Sequence, residues 1–456
     1  MFFSVFLVIV GVLTGCASQD PGVRFSFDSL KHDGTPPELL FLGIDGSYYF
    51  ARRPGPDSSP FGEVWQAFPD EIAGRELQSV NAAVWSPSGN AVAAAGQHRG
   101  DRQWPEARVV MVVFPDTGEG LVVWRRTDRT PFFLSFAPTG DMLAVLSSNA
   151  DGMLELEVVP VQGRSLGEDR SQQIIARGAP LYFDWFPDSQ AIAVATGGVL
   201  SAVEVGSGEE TVLSTNLSGG RAPAVRPDGE AIATVVRTAR GPAVVSVDLR
   251  GRVLPHQAAP AGAAVAWHPT EPYLATLRFA PAGGIGVVSV VDTAATTRTV
   301  SEGFPAGVGI EEQPALAMEW LADGSGLMIL GPARPARPEE PLQWRVARRG
   351  SEGWRSQAVT GVAPSPAQMQ SWLPFFDQYG RTSRRSSPDG MSWVYESVGA
   401  RNRPVIRVAS LKSGDSIPVG LGVLPLWRPG TRRPAVAIPP DTGNALERWF
   451  PRHSQL

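Results

Sequence analysis

One short pattern recurs along the chain and limits its fold more than any other feature. It consists of two or three alternating apolar positions, often with an aromatic, then x-Pro-Asp/Ser/Thr-Gly, then a second apolar run. Its clearest copies are Val84-Trp85-Ser86-Pro87-Ser88-Gly89, Ser135-Phe136-Ala137-Pro138-Thr139-Gly140, Asp184-Trp185-Phe186-Pro187-Asp188-Ser189 and Ala224-Val225-Arg226-Pro227-Asp228-Gly229. Four more follow at Trp267-His268-Pro269-Thr270, Trp320-Leu321-Ala322-Asp323-Gly324, Ser387-Pro388-Asp389-Gly390 and Trp427-Arg428-Pro429-Gly430. The Pro-equivalent positions are 87, 138, 187, 227, 269, 322, 388 and 429, so spacings run from 40 (187 to 227) to 66 residues (322 to 388). Pro presets φ for the first turn position, and Asp and Gly accept the conformations that follow, so each copy predicts a hairpin.

The runs around each turn, such as Ala91–Ala95 and Met142–Leu146, are almost continuously apolar. That suits strands buried on both faces. A second pair follows in each unit, most clearly Val109–Phe114, the turn Asp116-Thr117-Gly118, and Leu121–Trp124. A repeated four-stranded unit of roughly 40–50 residues predicts an all-β propeller. Eight copies predict about eight blades, with seven as the alternative. The eighth copy offers two strands, ending near Ala435–Ile438, and Leu39–Phe50 reads as two more around an Asp45-Gly46 turn. The N-terminal strands are therefore expected to close the last blade, which removes free sheet edges. The Trp-x-Pro-Asp-Gly hairpin resembles the WD40-like repeat of the TolB-type propellers over nearly all of residues 38–445. The Trp residues of the repeat are expected to pack between blades rather than to carry ligands.

The N-terminus bears on compartment. Phe2 to Leu13 is apolar, too short for an ordinary membrane-spanning helix, and ends in Leu13-Thr14-Gly15-Cys16. This resembles the lipobox of bacterial lipoproteins, where the cysteine becomes the acylated N-terminus. Cys16 is the only cysteine in the chain. The resemblance implies a signal peptide over 1–15, lipidation at Cys16, a tether over 16–37, the propeller over 38–445 and a tail over 446–456. The protein is then expected to be exported and anchored through lipid, on the periplasmic or extracellular side of the cell membrane or the outer membrane. Ala17-Ser18 after the cysteine leans toward the outer membrane.

Chemistry is sparsely signalled. The net charge is −5 with no basic stripe, which argues against nucleic acid. Gly163-Arg164-Ser165-Leu166-Gly167 matches G-x-S-x-G, but a charged turn surrounds it and no strand–helix frame holds it. Prolyl oligopeptidase-type enzymes join such a propeller to a hydrolase domain, for which no stretch is left over. The five histidines, His32, His98, His256, His268 and His453, form no metal-ligand pair. His98 is expected in a long polar loop and His268 as an incidental surface or turn residue. Catalytic residues, metal and cofactor are all expected to be absent, and the protein to be a monomer.

The irregular features are four long connections, 97–108, 303–313, 332–341 and 365–381, expected on the face that carries the connections between second and third strands and between blades. The last holds Trp372, Phe375, Phe376 and Tyr379, and 332–341 holds Arg334 and Arg337. These six residues are the candidate contacts for a protein or polysaccharide partner. Trp372 and its neighbours have a second reading, packing over the channel mouth. The expected function is an envelope-anchored binding or scaffold module. The alternative is a propeller enzyme (lyase, lactonase or hydrolase) with a site at the channel mouth, since this fold hosts both.

Overall fold

The computed structural model describes residues 24–26, 36–53, 63–72, 75–100, 106–161, 172–280, 284–294, 313–334, 340–351, 353–359, 364–366, 368–399 and 403–430. Cys16, the G-x-S-x-G segment, Arg337, His32, His453 and the stretch 435–438 lie outside them.

The first six copies of the repeated motif each close a tight turn between the first two strands of a blade. The residue before Pro accepts a hydrogen bond from the residue three further on: Gly89 N to Ser86 O is 2.9 Å, Gly140 N to Ala137 O 2.8 Å and Gly229 N to Arg226 O 2.8 Å. The last turn residue takes positive φ, +82° at Gly140 and +78° at Gly229, where a side chain is strained. The motif Asp binds the backbone two residues on, as in Gln190 N to Asp188 Oδ1 at 2.9 Å and Glu230 N to Asp228 Oδ1 at 2.9 Å.

Seven antiparallel sheets follow one another along the chain. Blade 1 holds Arg75–Trp85, Val92–His98, Ala107–Phe114 and Glu119–Arg126, with Arg24–Ser26 paired to its outer strand and Glu71–Ile72 to its inner one. Arg24–Ser26 falls in the stretch expected to be a tether. Blades 2 to 6 run from Arg129 to Gly178, Leu181 to Ser214, Ala224 to Ala258, Ala263 to Ala315 and Ala317 to Ala358, four strands each. Blade 7 contains Ser392–Val398, Pro404–Ser410, Ser416–Trp427, Leu39–Gly43, Tyr48–Ala51 and Val64–Gln66.

The structure is thus a seven-bladed propeller, the alternative count, although the motif occurs eight times. The seventh and eighth copies share one sheet because Ser416–Trp427 continues without a loop. Its first half pairs with Val405–Ala409, and its second half pairs with Leu39–Gly43. The N-terminal segment closes the ring as expected, with Leu39 opposite Trp427 and Gly43 opposite Gly422.

Blades stack face to face, so their middle strands are buried on both sides. Val109 to Val113 are all fully buried, which explains the unbroken apolar runs. The recurring indole joins blade to blade. Trp185, Trp267 and Trp320 donate Nε1–H to the carbonyls of Ser135, Ala224 and Ala266 in the preceding blade, at 3.2, 2.9 and 3.0 Å. Each accepting residue occupies the same position, three before the motif Pro. The Trp side chains thus pack between blades, as the repeat implied.

Candidate functional site

The connection from blade 6 to blade 7 does not loop outward. It forms three successive helical turns, Gln368–Trp372, Leu373–Phe375 and Phe376–Tyr379, laid across one end of the ring. Trp372 and Phe376 are buried, each 3% exposed, whereas Phe375 is 46% exposed. Trp372 packs on Trp344 of blade 6 with centroids 6.0 Å apart, and on Phe376 at 5.9 Å. Tyr379 meets Phe133 of blade 2 at 5.2 Å.

Polar contacts fix the same segment. Gln378 bonds both backbone groups of Phe183 in the innermost strand of blade 3, accepting from N at 3.2 Å and donating to O at 3.0 Å. It therefore satisfies an edge that faces the channel and would otherwise need water. Asp377 accepts from Ala222 N at 3.1 Å and from Arg221 at 3.3 Å, while Arg221 donates to Pro374 O at 3.0 Å. Arg381 pairs with Asp184 of blade 3 at 3.0 Å and donates to Pro223 O ahead of blade 4. Ser365 donates to Glu396 of blade 7, whose other oxygen accepts Leu424 N at 2.6 Å. The segment is a plug fastened to blades 2, 3, 6 and 7 and to the strand entering blade 4.

Beneath the plug lies a small set of buried charges. The Arg385 guanidinium stacks under Trp372, 4.2 Å from the ring centroid. Glu319 Oε1 accepts the backbone N–H of Arg385 at 3.5 Å. Among the described residues Glu319 Oε2 and Arg385 Nη1 have no hydrogen-bond partner. Burial pushes the Glu319 carboxyl up to about 7, against the pull of Arg385. Burial also raises Glu396 and Asp184 and lowers Arg385. The position three before the motif Pro carries these groups: Ser135, Asp184, Glu319 and Arg385 stand where other copies have Val84, Ala224, Ala266 and Leu426. Polar residues in an otherwise apolar innermost strand were the available sequence signal for this cluster.

The remaining expected contacts are spread out. Arg334 pairs with Glu340, and its side chain is 64% exposed. The described ends of 97–108 and 332–341 leave second strands and enter third strands, and 365–381 joins two blades, so these ends share the plug's face. The connection 303–313 was expected there too. All of it except Gln313, which opens the fourth strand of blade 5, lies outside the described residues.

The histidines also depart from expectation. His98 is the buried last residue of a strand, opposite Ala107, not a loop residue. His256 is buried with Nε2 2.5 Å from Ser246 Oγ, and burial lowers its pKa to about 4. His268 is a structural part of its turn. Copy five lacks Asp-Gly, and the imidazole replaces them: Nδ1 accepts from Thr270 N at 3.2 Å and Glu271 N at 2.9 Å. The proton is therefore on Nε2, which donates to Gly324 O of blade 6 at 2.8 Å. Among the described residues no group of three or more His, Cys, Asp or Glu side chains is placed to hold a metal.

No protein-family model matches the sequence, and none of the curated proteins does. Solved propeller structures do match in shape. One is dihydro-heme d1 dehydrogenase NirN, with TM-score 0.50 and 13% identity over 90% of this chain and 80% of that one. An oligogalacturonate lyase from Vibrio parahaemolyticus gives TM-score 0.41 and 11% identity over 85% and 87% of the two chains. TolB from Acinetobacter baumannii gives 0.33 and 12% over 74% and 83%. At such identities the likeness shows the fold alone.

Proposed function

We propose that this chain is a binding propeller, held to a membrane of the cell envelope by acyl chains at Cys16, that engages a protein partner through the plugged face. The observation that supports this best is the plug itself. A channel-mouth active site needs an open mouth, whereas here the helical turns of Gln368–Tyr379 lie across it and their polar groups bond inward. What the face presents outward suits contact. Phe375 is 46% exposed at the plug, and its ring lies 6.1 Å from Tyr379. Phe132, beside Phe133 in the innermost strand of blade 2, is turned out to 37% exposure by a bulge between Pro131 and Phe133.

The enzyme reading keeps one favourable observation, the Glu319 carboxyl near neutrality beside Arg385, a pairing of the kind that serves acid–base chemistry. It requires the plug to leave.

The test places a photo-crosslinking amino acid at position 375, with position 212 on the outer strand of blade 3 as a control at least as exposed. A single envelope protein captured at 375 and not at 212 supports the reading. No adduct at 375, or the same adducts at both positions, overturns it. For the anchor, Cys16→Ser is expected to move the protein from the membrane to the soluble fraction; retention in the membrane refutes lipidation.

A further inference from the structure

The face opposite the plug carries a cleft of about 380 Å³ between blades 5 and 6, a size that suits one or two small rings. It is bounded by the motif turns of the two blades and by the last hairpin of blade 6, and the sequence gives no sign of it. Its lining includes Glu271, Tyr273, Ser325, Arg349 and Trp354.

The walls are set by packing. Trp354 is half-buried and braced from behind by Trp320, with centroids 5.9 Å apart and planes 57° apart. Trp320 is in turn held edge-on by His268 at 4.7 Å. Arg349, from the last hairpin of blade 6, donates to the Tyr273 hydroxyl of blade 5, which fixes the guanidinium across the cleft. His268 lines the base as a neutral ring, because both of its nitrogens are committed to backbone groups. The formal charge of the lining is therefore one carboxylate, Glu271, and one guanidinium, Arg349. Among the described residues Glu271 has no ion pair.

This chemistry narrows the ligand. A phosphate or nucleic-acid ligand calls for an excess of positive charge, which Glu271 cancels. A divalent cation needs several oxygen ligands, and only one carboxylate is present. A purely apolar ligand would strip water from the Glu271 carboxylate and from the remaining Arg349 N–H groups and offer no hydrogen bond in exchange. A neutral ring bearing adjacent hydroxyls satisfies all of them: its C–H face lies on an indole, one hydroxyl pair donates to the carboxylate, and others accept from the guanidinium. We propose that this cleft is a saccharide subsite for a neutral pyranose, with Trp354 as platform and Glu271 and Arg349 as the orienting pair.

The test is calorimetric titration of the full chain with maltose, cellobiose and N,N′-diacetylchitobiose, each in the millimolar range, beside digalacturonate. Saturable binding of at least one neutral sugar is expected, weakened tenfold or more in Trp354→Ala and in Glu271→Gln. Val212→Ala, exposed on the outer strand of blade 3, should leave it unchanged. Glu271 is exposed and the Gln side chain has nearly the same shape, so that variant folds. Three outcomes overturn the proposal: no binding of any neutral sugar, binding untouched by Glu271→Gln, or tighter binding of digalacturonate than of every neutral sugar.

Discussion

Glu319→Gln is expected to change the pH dependence of stability in a way that reports directly on the charges beneath the plug. Burial lifts the Glu319 carboxyl from an ordinary 4.5 to about 7. The folded protein therefore holds this proton more tightly than the unfolded chain does. The group costs nothing below about pH 4.5, where both states are protonated, and its cost grows as pH rises until it is full above about pH 7. A span from 4.5 to about 7 at 1.36 kcal/mol per pH unit amounts to about 3 kcal/mol. Glutamine keeps the shape and cannot ionise. The substitution also takes a carboxylate away from Arg385, but that loss is the same at every pH at which Glu319 would be ionised. Urea midpoints of wild type and variant should therefore be compared at about pH 4.5 and about pH 8, with the difference moving in favour of the variant by about 3 kcal/mol. A difference constant within about 0.5 kcal/mol would refute the reasoning, because it would mean that Glu319 is solvated or ion-paired in the folded state.

Three other outcomes follow from the geometry. Gln378→Ala leaves the Phe183 N–H and C=O without partners and should cost about 2–3 kcal/mol, with limited proteolysis showing earlier cleavage in 364–381 than in wild type. Trp267→Phe keeps an aromatic but loses indole volume and strands the Ala224 carbonyl, for a loss of about 1–3 kcal/mol in chemical denaturation; an unchanged midpoint would show that neither the inter-blade hydrogen bond nor the indole packing contributes. Gly140→Ala adds a Cβ whose nearest neighbour is Pro87 Cδ at 3.9 Å, so its cost of about 1–2 kcal/mol should come from positive φ alone, without change in the surrounding packing by crystallography.

Much of the architecture was legible locally. A Pro-Asp-Gly turn is stable because of its own dihedral angles and its Asp–backbone hydrogen bond, so Pro227-Asp228-Gly229 announces a hairpin without reference to the rest of the chain. The middle strands announce double-sided burial through unbroken apolar runs such as Val109–Val113. The blade count was less legible. Whether two copies lie in separate sheets depends on whether Ser416–Trp427 breaks between them; Pro418, Gly420, Gly422 and Pro425 read locally as a break, yet the strand runs through them.

The aromatic stretch around Trp372 shows where local reading stops. The same residues serve a partner surface or an internal plug, and composition does not distinguish the two. The choice is made by groups far away in sequence, with Gln378 meeting Phe183 195 residues off and Asp377 meeting Ala222 155 residues off. His268 likewise reads as incidental until Gly324, 56 residues on, is brought against its Nε2. The sequence by itself determined the repeat, the turns, the all-β class and the packing role of the recurrent Trp, because these rest on short-range dihedral preference and periodic burial. Only the tertiary structure decided the sealed channel mouth, the near-neutral Glu319 beneath it and the cleft shared by blades 5 and 6. Each of these exists only when the ring closes and brings separate blades within hydrogen-bonding and van der Waals distance.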